Sequence, residues 1–193
     1  MPILTPPPRE PRLPPGQVET TKFPVLTHGE TQRIDRASWR LDIGGLVESA
    51  VSIGWDDLLE MPRVQVRADF HCVTTWSRSD TLWEGVLVSD VMQRVRVRPE
   101  ARFVMAHSYG GYSTNLPLDD FLREPNLFAY RVDGADLSAE HGGPCRLVVH
   151  HLYAWKSAKW IRRIELMAAD RLGFWEGYGY HPHGDPWTEE RFG

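Results

Sequence analysis

Apolar and polar positions alternate in several short stretches of this chain, and the alternation sets the elements to expect. Trp39, Leu41 and Ile43 alternate with Arg40 and Asp42, the period of a half-buried strand. Val64, Val66, Ala68 and Phe70 alternate with Gln65, Arg67 and Asp69, which predicts a second strand running up to Cys72. Phe103 to Ala106 is a short apolar strand, Gly110-Gly111 a turn, and Tyr112 to Leu116 the return from it. Asp133-Gly134, between Tyr130-Arg131-Val132 and Ala135-Asp136-Leu137, signals a tight hairpin. Cys145 to Val149 and Ile161 to Leu166 read as further strands. Helical signals are few. Ser89-Asp90 precedes Val91, Met92 and Val95, and Pro117 opens a helix through Leu118, Phe121 and Leu122 that Pro125 closes. Because helices and strands do not alternate regularly, a doubly wound parallel sheet is disfavoured. The expected class is α+β, with mixed β-sheets and short helices.

Residues 1–24 are Pro-rich and predict a weakly structured arm ahead of one domain over residues 25–193. Phe23, Val25 and Leu26 give the end of that arm something to bury. A chain of 193 residues supports one sizeable core. Eight Trp residues suggest an aromatic-walled interior or pocket. The net charge of −4, with no basic stripe or tail, argues against nucleic acid as a partner. No apolar run reaches membrane-spanning length and no secretory pattern opens the chain, so a cytoplasmic protein is expected. Two Cys residues make no disulfide framework, and a reducing compartment is the default.

The candidate chemistry lies in two stretches. In His71-Cys72-Val73-Thr74-Thr75-Trp76-Ser77, Cys72 follows a strand and enters a Thr- and Ser-rich turn. It reads as a soft metal ligand, as a buried inert thiol, or as a nucleophile with a His base. His71 is a poor base for it, because neighbours on an extended chain point apart. The second stretch runs from His141-Gly142-Gly143-Pro144-Cys145-Arg146 to Trp155-Lys156-Ser157-Ala158-Lys159-Trp160. An Arg fork, two Lys charges and small residues that let backbone N–H groups approach suit a phosphate, although a solvated basic face uses the same residues. One soft ligand beside one anion site points to a metal-bearing organic cofactor. Cys145 reads as a small core residue, and His181-Pro182-His183 with Asp185 as a polar, aromatic tail. Neither a phosphate-loop motif nor a dinucleotide Gly fingerprint is present.

Taken together, the two stretches resemble the molybdopterin-binding domain of the sulfite oxidase family, in its small single-domain, sulfite oxidase-like form. Gly85-Val86, Tyr112-Ser113-Thr114-Asn115-Leu116-Pro117, His151-Leu152-Tyr153, Gly173-Phe174-Trp175-Glu176 and Gly184-Asp185-Pro186-Trp187 extend the resemblance in the same order along the chain. It implies the family's mixed α+β fold and a molybdenum-molybdopterin cofactor, with Cys72 as the metal-binding sulfur beside two sulfurs from the pterin. It implies that His141 and Arg146 grip the pterin and its phosphate, and that Ser157, Ala158 and Lys159 bind the cofactor through backbone and Lys. Thr27 and His28 fall where the family sets an Asn-His pair against the pterin. Ser108 falls near another polar contact, and Tyr130 matches a Tyr beside the substrate pocket. The family's Arg before the Asn-His pair is replaced here by Leu26, and its Arg after the metal cysteine has only Arg78 as an out-of-register substitute, so sulfite is a doubtful substrate.

The resemblance implies oxygen-atom transfer to or from a small sulfite-like or sulfoxide-like substrate. This chain carries no haem domain, so electrons would pass through a separate carrier such as a cytochrome. Two alternatives follow from the residues alone: a non-enzymatic molybdopterin-binding protein, and a thiol enzyme pairing Cys72 with His28, His107 or His150.

Overall fold

The computed structural model describes all 193 residues as two β-sheets with short helices between their strands. The strands are β1 (Ile3–Leu4), β2 (Val18–Glu19), β3 (Arg40–Gly45), β4 (Val51–Gly54), β5 (Arg63–His71) and β6 (Trp76–Leu87), then β7 (Phe103–Ser108), β8 (Ser113–Pro117), β9 (Leu127–Val132), β10 (Ala135–Asp136), β11 (Arg146–Val148) and β12 (Ile161–Met167). The helices are α1 (Trp55–Glu60), α2 (Val88–Met92), α3 (Leu118–Leu122) and α4 (Phe174–Gly177). The seven-stranded sheet runs β1-β5-β6-β9-β10, with β11 also on β9 and β2 also on β6. The five-stranded sheet runs β4-β3-β12-β7-β8.

The alternation read from the sequence becomes the sidedness of these strands. Leu41 and Ile43 of β3 are buried while Arg40 and Asp42 are exposed. The core between the sheets takes Leu41, Ile43, Val104, Ala106, Ile161 and Ile164 from one sheet and Val86, Phe128 and Leu147 from the other, with Val149 just past β11. A second cluster covers the opposite face of the larger sheet, with Val64, Val66, Ala68 and Phe70 of β5 against Trp83, Leu127 and Val148. Each fully buried side chain of that size contributes roughly 1.5–3 kcal/mol of transfer free energy, which fixes the register of β5.

Asp133 and Gly134 both adopt positive φ, 49° and 80°, as the two central residues of the turn joining β9 and β10. At Gly85 a Cβ would lie 2.0 Å from the Phe128 carbonyl, so only glycine lets β6 approach β9 there. The N-terminal arm, expected to be weakly structured, is built into the larger sheet. β1 pairs in parallel with β5 and β2 with β6, and Arg12 reaches Asp69 and Asp80. Phe23 is part-buried, whereas Val25 and Leu26 stay exposed. No helix is long and apolar enough to cross a membrane.

Candidate active site

The β5–β6 connection places the thiol. Cys72 N–H donates to the Trp76 carbonyl at 2.8 Å and Thr75 N–H to the Cys72 carbonyl at 3.0 Å, with Thr75 at φ 75°. This tight turn holds Cys72 at the floor of a cavity of about 350 Å³, within the range that takes organic ligands. The Cys72 Sγ contacts the Thr74 hydroxyl at 3.2 Å. Four of the eight Trp residues line the walls: Trp76, Trp155, Trp160 and Trp175. Phe23, Leu26, Thr27 and His28 bring the end of the arm across one side, and Tyr112 and Tyr180 face in from the other strands and the C-terminal segment.

The basic wall is organised around Arg146. Its guanidinium is buried and donates to the carbonyls of His141 (3.0 Å), Ser157 (2.8 Å) and Leu147 (3.4 Å). It lies over the rings of Phe70 and Trp83. Burial lowers its pKa to about 10, so it stays charged at neutral pH without a carboxylate beside it. Lys159 Nζ donates to the Leu26 carbonyl, the Thr27 hydroxyl and the Glu140 carbonyl, each within 2.8 Å. Burial, then the Arg146 charge, brings its pKa down to about 7. Burial, then Arg146 and Lys159, lower His141 to about 4, so its ring is neutral, and it stacks on Phe23 with centroids 4.0 Å apart. Gly142, at φ 101°, lets the His141 turn lie against Lys159, since a Cβ there would come within 2.9 Å of the Lys159 Cβ. A buried guanidinium and a part-buried amine whose donors reach only neutral oxygens form a site that an anion would complete, and an anion there would favour the charged form of Lys159.

Of the residues singled out by sequence, Thr27, His28, Cys72, Ser108, His141, Arg146, Ser157 and Lys159 all line this one cavity. His28 packs on Phe174 at 3.9 Å between ring centroids. Two candidates do not line it. Tyr130 lies in the core between the sheets, edge-on to Trp55 at 6.0 Å, because alternation along β9 turns Phe128 and Tyr130 to that core and Leu127 and Ala129 to the other face. Ala158 is buried in the same core, and its carbonyl accepts the Leu147 N–H at 2.9 Å.

Lys156, read as a phosphate ligand, is instead a structural cation. It is fully buried, 2.6 Å from Glu176 Oε1, and also donates to Asn115 and the Pro182 carbonyl. Among the possible bases, His28 shares the cavity, His107 binds Glu165 at 2.9 Å, and His150 is outside the lining; the Cys72 thiol touches none of them. His183 lies between Glu190 (2.7 Å) and Asp120 (3.2 Å). Tyr180, Tyr112 and Phe23 were not singled out for the site. The count of Trp residues signalled an aromatic pocket, but not which aromatics would reach it.

Residues 28–175 match the family model described as the oxidoreductase molybdopterin binding domain. The chain belongs to that family. It is 46% identical over 182 residues to the uncharacterized oxidoreductase YuiH of Bacillus subtilis, across 94% of this chain and 92% of that one. It is 26% identical over 170 residues to the protein-methionine-sulfoxide reductase catalytic subunit MsrP of Campylobacter jejuni, across 79% of this chain and 57% of that one. Its fold is similar to that of the sulfane dehydrogenase SoxCD from Paracoccus pantotrophus, with a TM-score of 0.67 at 24% identity over 74% of this chain and 41% of the other. The chain thus spans little more than half of MsrP and less than half of the SoxCD chain.

As a molybdopterin oxidoreductase of the sulfite oxidase type, the chain takes molybdenum-molybdopterin as its cofactor. The cavity suits that group on three counts. The Ser108 hydroxyl and Trp76 Nε1 are buried in its wall with no protein partner, as expected of groups that meet a polar ligand. The Arg146–Lys159 pair lacks an anion, as the cofactor phosphate would provide. No cluster of three or more His, Cys, Asp or Glu is arranged for a metal, so a metal held through Cys72 would need a ligand set supplied largely by the cofactor.

Proposed function

We propose that this enzyme transfers an oxygen atom to or from a small uncharged substrate of the sulfoxide type, and exchanges electrons with a separate carrier such as a cytochrome. The bound cofactor supplies the two-electron chemistry, and the chain positions it and shapes what reaches it. In this reading the Cys72 sulfur binds the metal. Arg146 and Lys159 neutralise the phosphate, with Thr27, His28, Ser108, His141 and Ser157 as further contacts. Closing the cavity with aromatic side chains excludes water and strengthens these interactions.

The observation that carries the substrate class is the absence of a spare cation. Leu26 lines the cavity where the family sets an Arg, and Arg78 is not part of the lining: it pairs with Asp133 and Thr81 and lies over the Phe23 ring. A dianion such as sulfite needs paired positive charge beyond that spent on the cofactor phosphate. A neutral sulfoxide needs only an apolar wall and a hydrogen-bond donor. Tyr180 fits that donor better than Tyr130. It lines the cavity, its ring is held on Trp175 at 5.1 Å, and burial raises its pKa, so the hydroxyl keeps its proton.

The test is a substrate panel on metal-loaded protein. With a reduced dye as donor, neutral sulfoxides should be reduced, and Tyr180→Phe should raise their KM roughly threefold to tenfold, the size of one lost hydrogen bond. Efficient sulfite oxidation without sulfoxide reduction would overturn the substrate class, and an unchanged KM in Tyr180→Phe would remove the role of that hydroxyl.

A further inference from the structure

The Cys72 turn is gripped from behind by segments that lie outside the matched family residues 28–175. Gln17 Nε2 donates to the Cys72 carbonyl at 3.1 Å. Its Oε1 accepts from the Ser77 hydroxyl at 3.1 Å, and Ser77 Oγ also meets His71 Nδ1 at 2.7 Å. The carboxamide therefore bridges both strands of the hairpin at the residue that bears the thiol. Next to it, Val18 N–H donates to the Thr75 carbonyl at 2.8 Å. From the other end of the chain, Arg191 donates to the Val73 carbonyl at 2.6 Å and to the Pro15 carbonyl at 3.3 Å, tying the turn to the arm. The turn contains Thr75 in the left-handed region, a conformation that persists only when its surroundings hold it.

We propose that Gln17 is a positioning residue for the metal-binding sulfur, with Arg191 bracing the same turn. The inference rests on the assignment of Cys72 as the metal ligand. Gln17 fixes the Cys72 peptide plane, and with it the direction in which the Cβ–Sγ bond enters the cavity. It touches neither cofactor nor substrate. Groups that orient a metal ligand in this way change metal affinity or activity by about 10- to 100-fold when removed.

The decisive variant is Gln17→Glu. It keeps the size of the side chain and the oxygen that accepts from Ser77, but it cannot donate to the Cys72 carbonyl. Arg12→Ala is the control. It loosens the same arm at Asp69 and Asp80 without touching the turn. Wild-type protein must first show bound molybdenum and a Mo(V) electron paramagnetic resonance signal, and its failure to do so would refute the Cys72 assignment rather than the role of Gln17. Given that signal, Gln17→Glu and Gln17→Ala should shift or split the Mo(V) resonance and lower kcat about tenfold or more, with KM within about twofold. Arg12→Ala should keep the wild-type spectrum. Wild-type spectra and kcat in both Gln17 variants, or the same spectral change in Arg12→Ala, would overturn the proposal.

Discussion

Lys156 and Lys159 flank Ser157-Ala158 and have opposite surroundings. Lys156 is paired with Glu176 where neither side chain reaches solvent, whereas Lys159 borders the cavity and donates only to neutral oxygens. Lys156→Ala should therefore cost about 3–5 kcal/mol of folding stability, because it strands a buried carboxylate. Lys159→Ala should leave the melting temperature of the cofactor-free protein close to wild type and lower the molybdenum and pterin retained on purification. Denaturant melts and metal analysis of the two variants check this, and equal stability losses would contradict it. Residue type could not separate the two, since both sit among small residues in one loop. The pattern around His141 and Arg146 was legible because its spacing is specific. Tyr130 was misplaced because Leu127-Phe128-Ala129-Tyr130 is apolar throughout, and a run without alternation does not reveal which side chains face which core.

At the level of elements, β3, β5, β7, β8, β11, β12 and the Asp133-Gly134 turn followed from apolar patterning and turn chemistry, as did the end of β9 that enters that turn. The long strand β6 did not. It buries Ser77, Thr81 and Glu84 among its apolar residues and carries Gly85 where β9 comes closest, so polar positions that belong to the interior read as loop. α3 and the C-terminal segment are joined by a titratable contact that composition could not rank. His183 lies between Asp120 and Glu190, and those contacts, Asp120 first, raise its pKa to about 9 from 6.5. The hydrogen bonds from His151 and His183 hold Asp120 well below the usual carboxylate range, outweighing its burial, while burial lowers His151 despite the same carboxylate. A base whose pKa is raised by folding contributes stability that is complete below its unfolded value and is lost as pH rises through the folded one. The melting-temperature gap between wild type and His183→Gln should thus be largest below about pH 6.5 and close above about pH 9. A gap that widens with rising pH would contradict this account.

Across the whole molecule, the active site is closed by the two ends of the chain. The arm supplies Phe23 and Leu26 to the cavity and Gln17 to the turn, and the C-terminal segment supplies Tyr180 and Arg191. A Pro-rich arm with strands of two residues carries no periodicity, so its integration into the sheet could not be read from the sequence. The cofactor could be, because the stretch around Cys72 and the stretch from His141 to Lys159 together resemble the molybdopterin-binding domain of the sulfite oxidase family. In the proposed reading, the Cys72 sulfur would bind the metal of the bound cofactor. Molybdenum K-edge X-ray absorption on wild type and Cys72→Ser tests it most directly. The account predicts bound molybdenum in both proteins, with one sulfur fewer around the metal in the variant and no turnover. An unchanged sulfur shell, or full activity in Cys72→Ser, would contradict it.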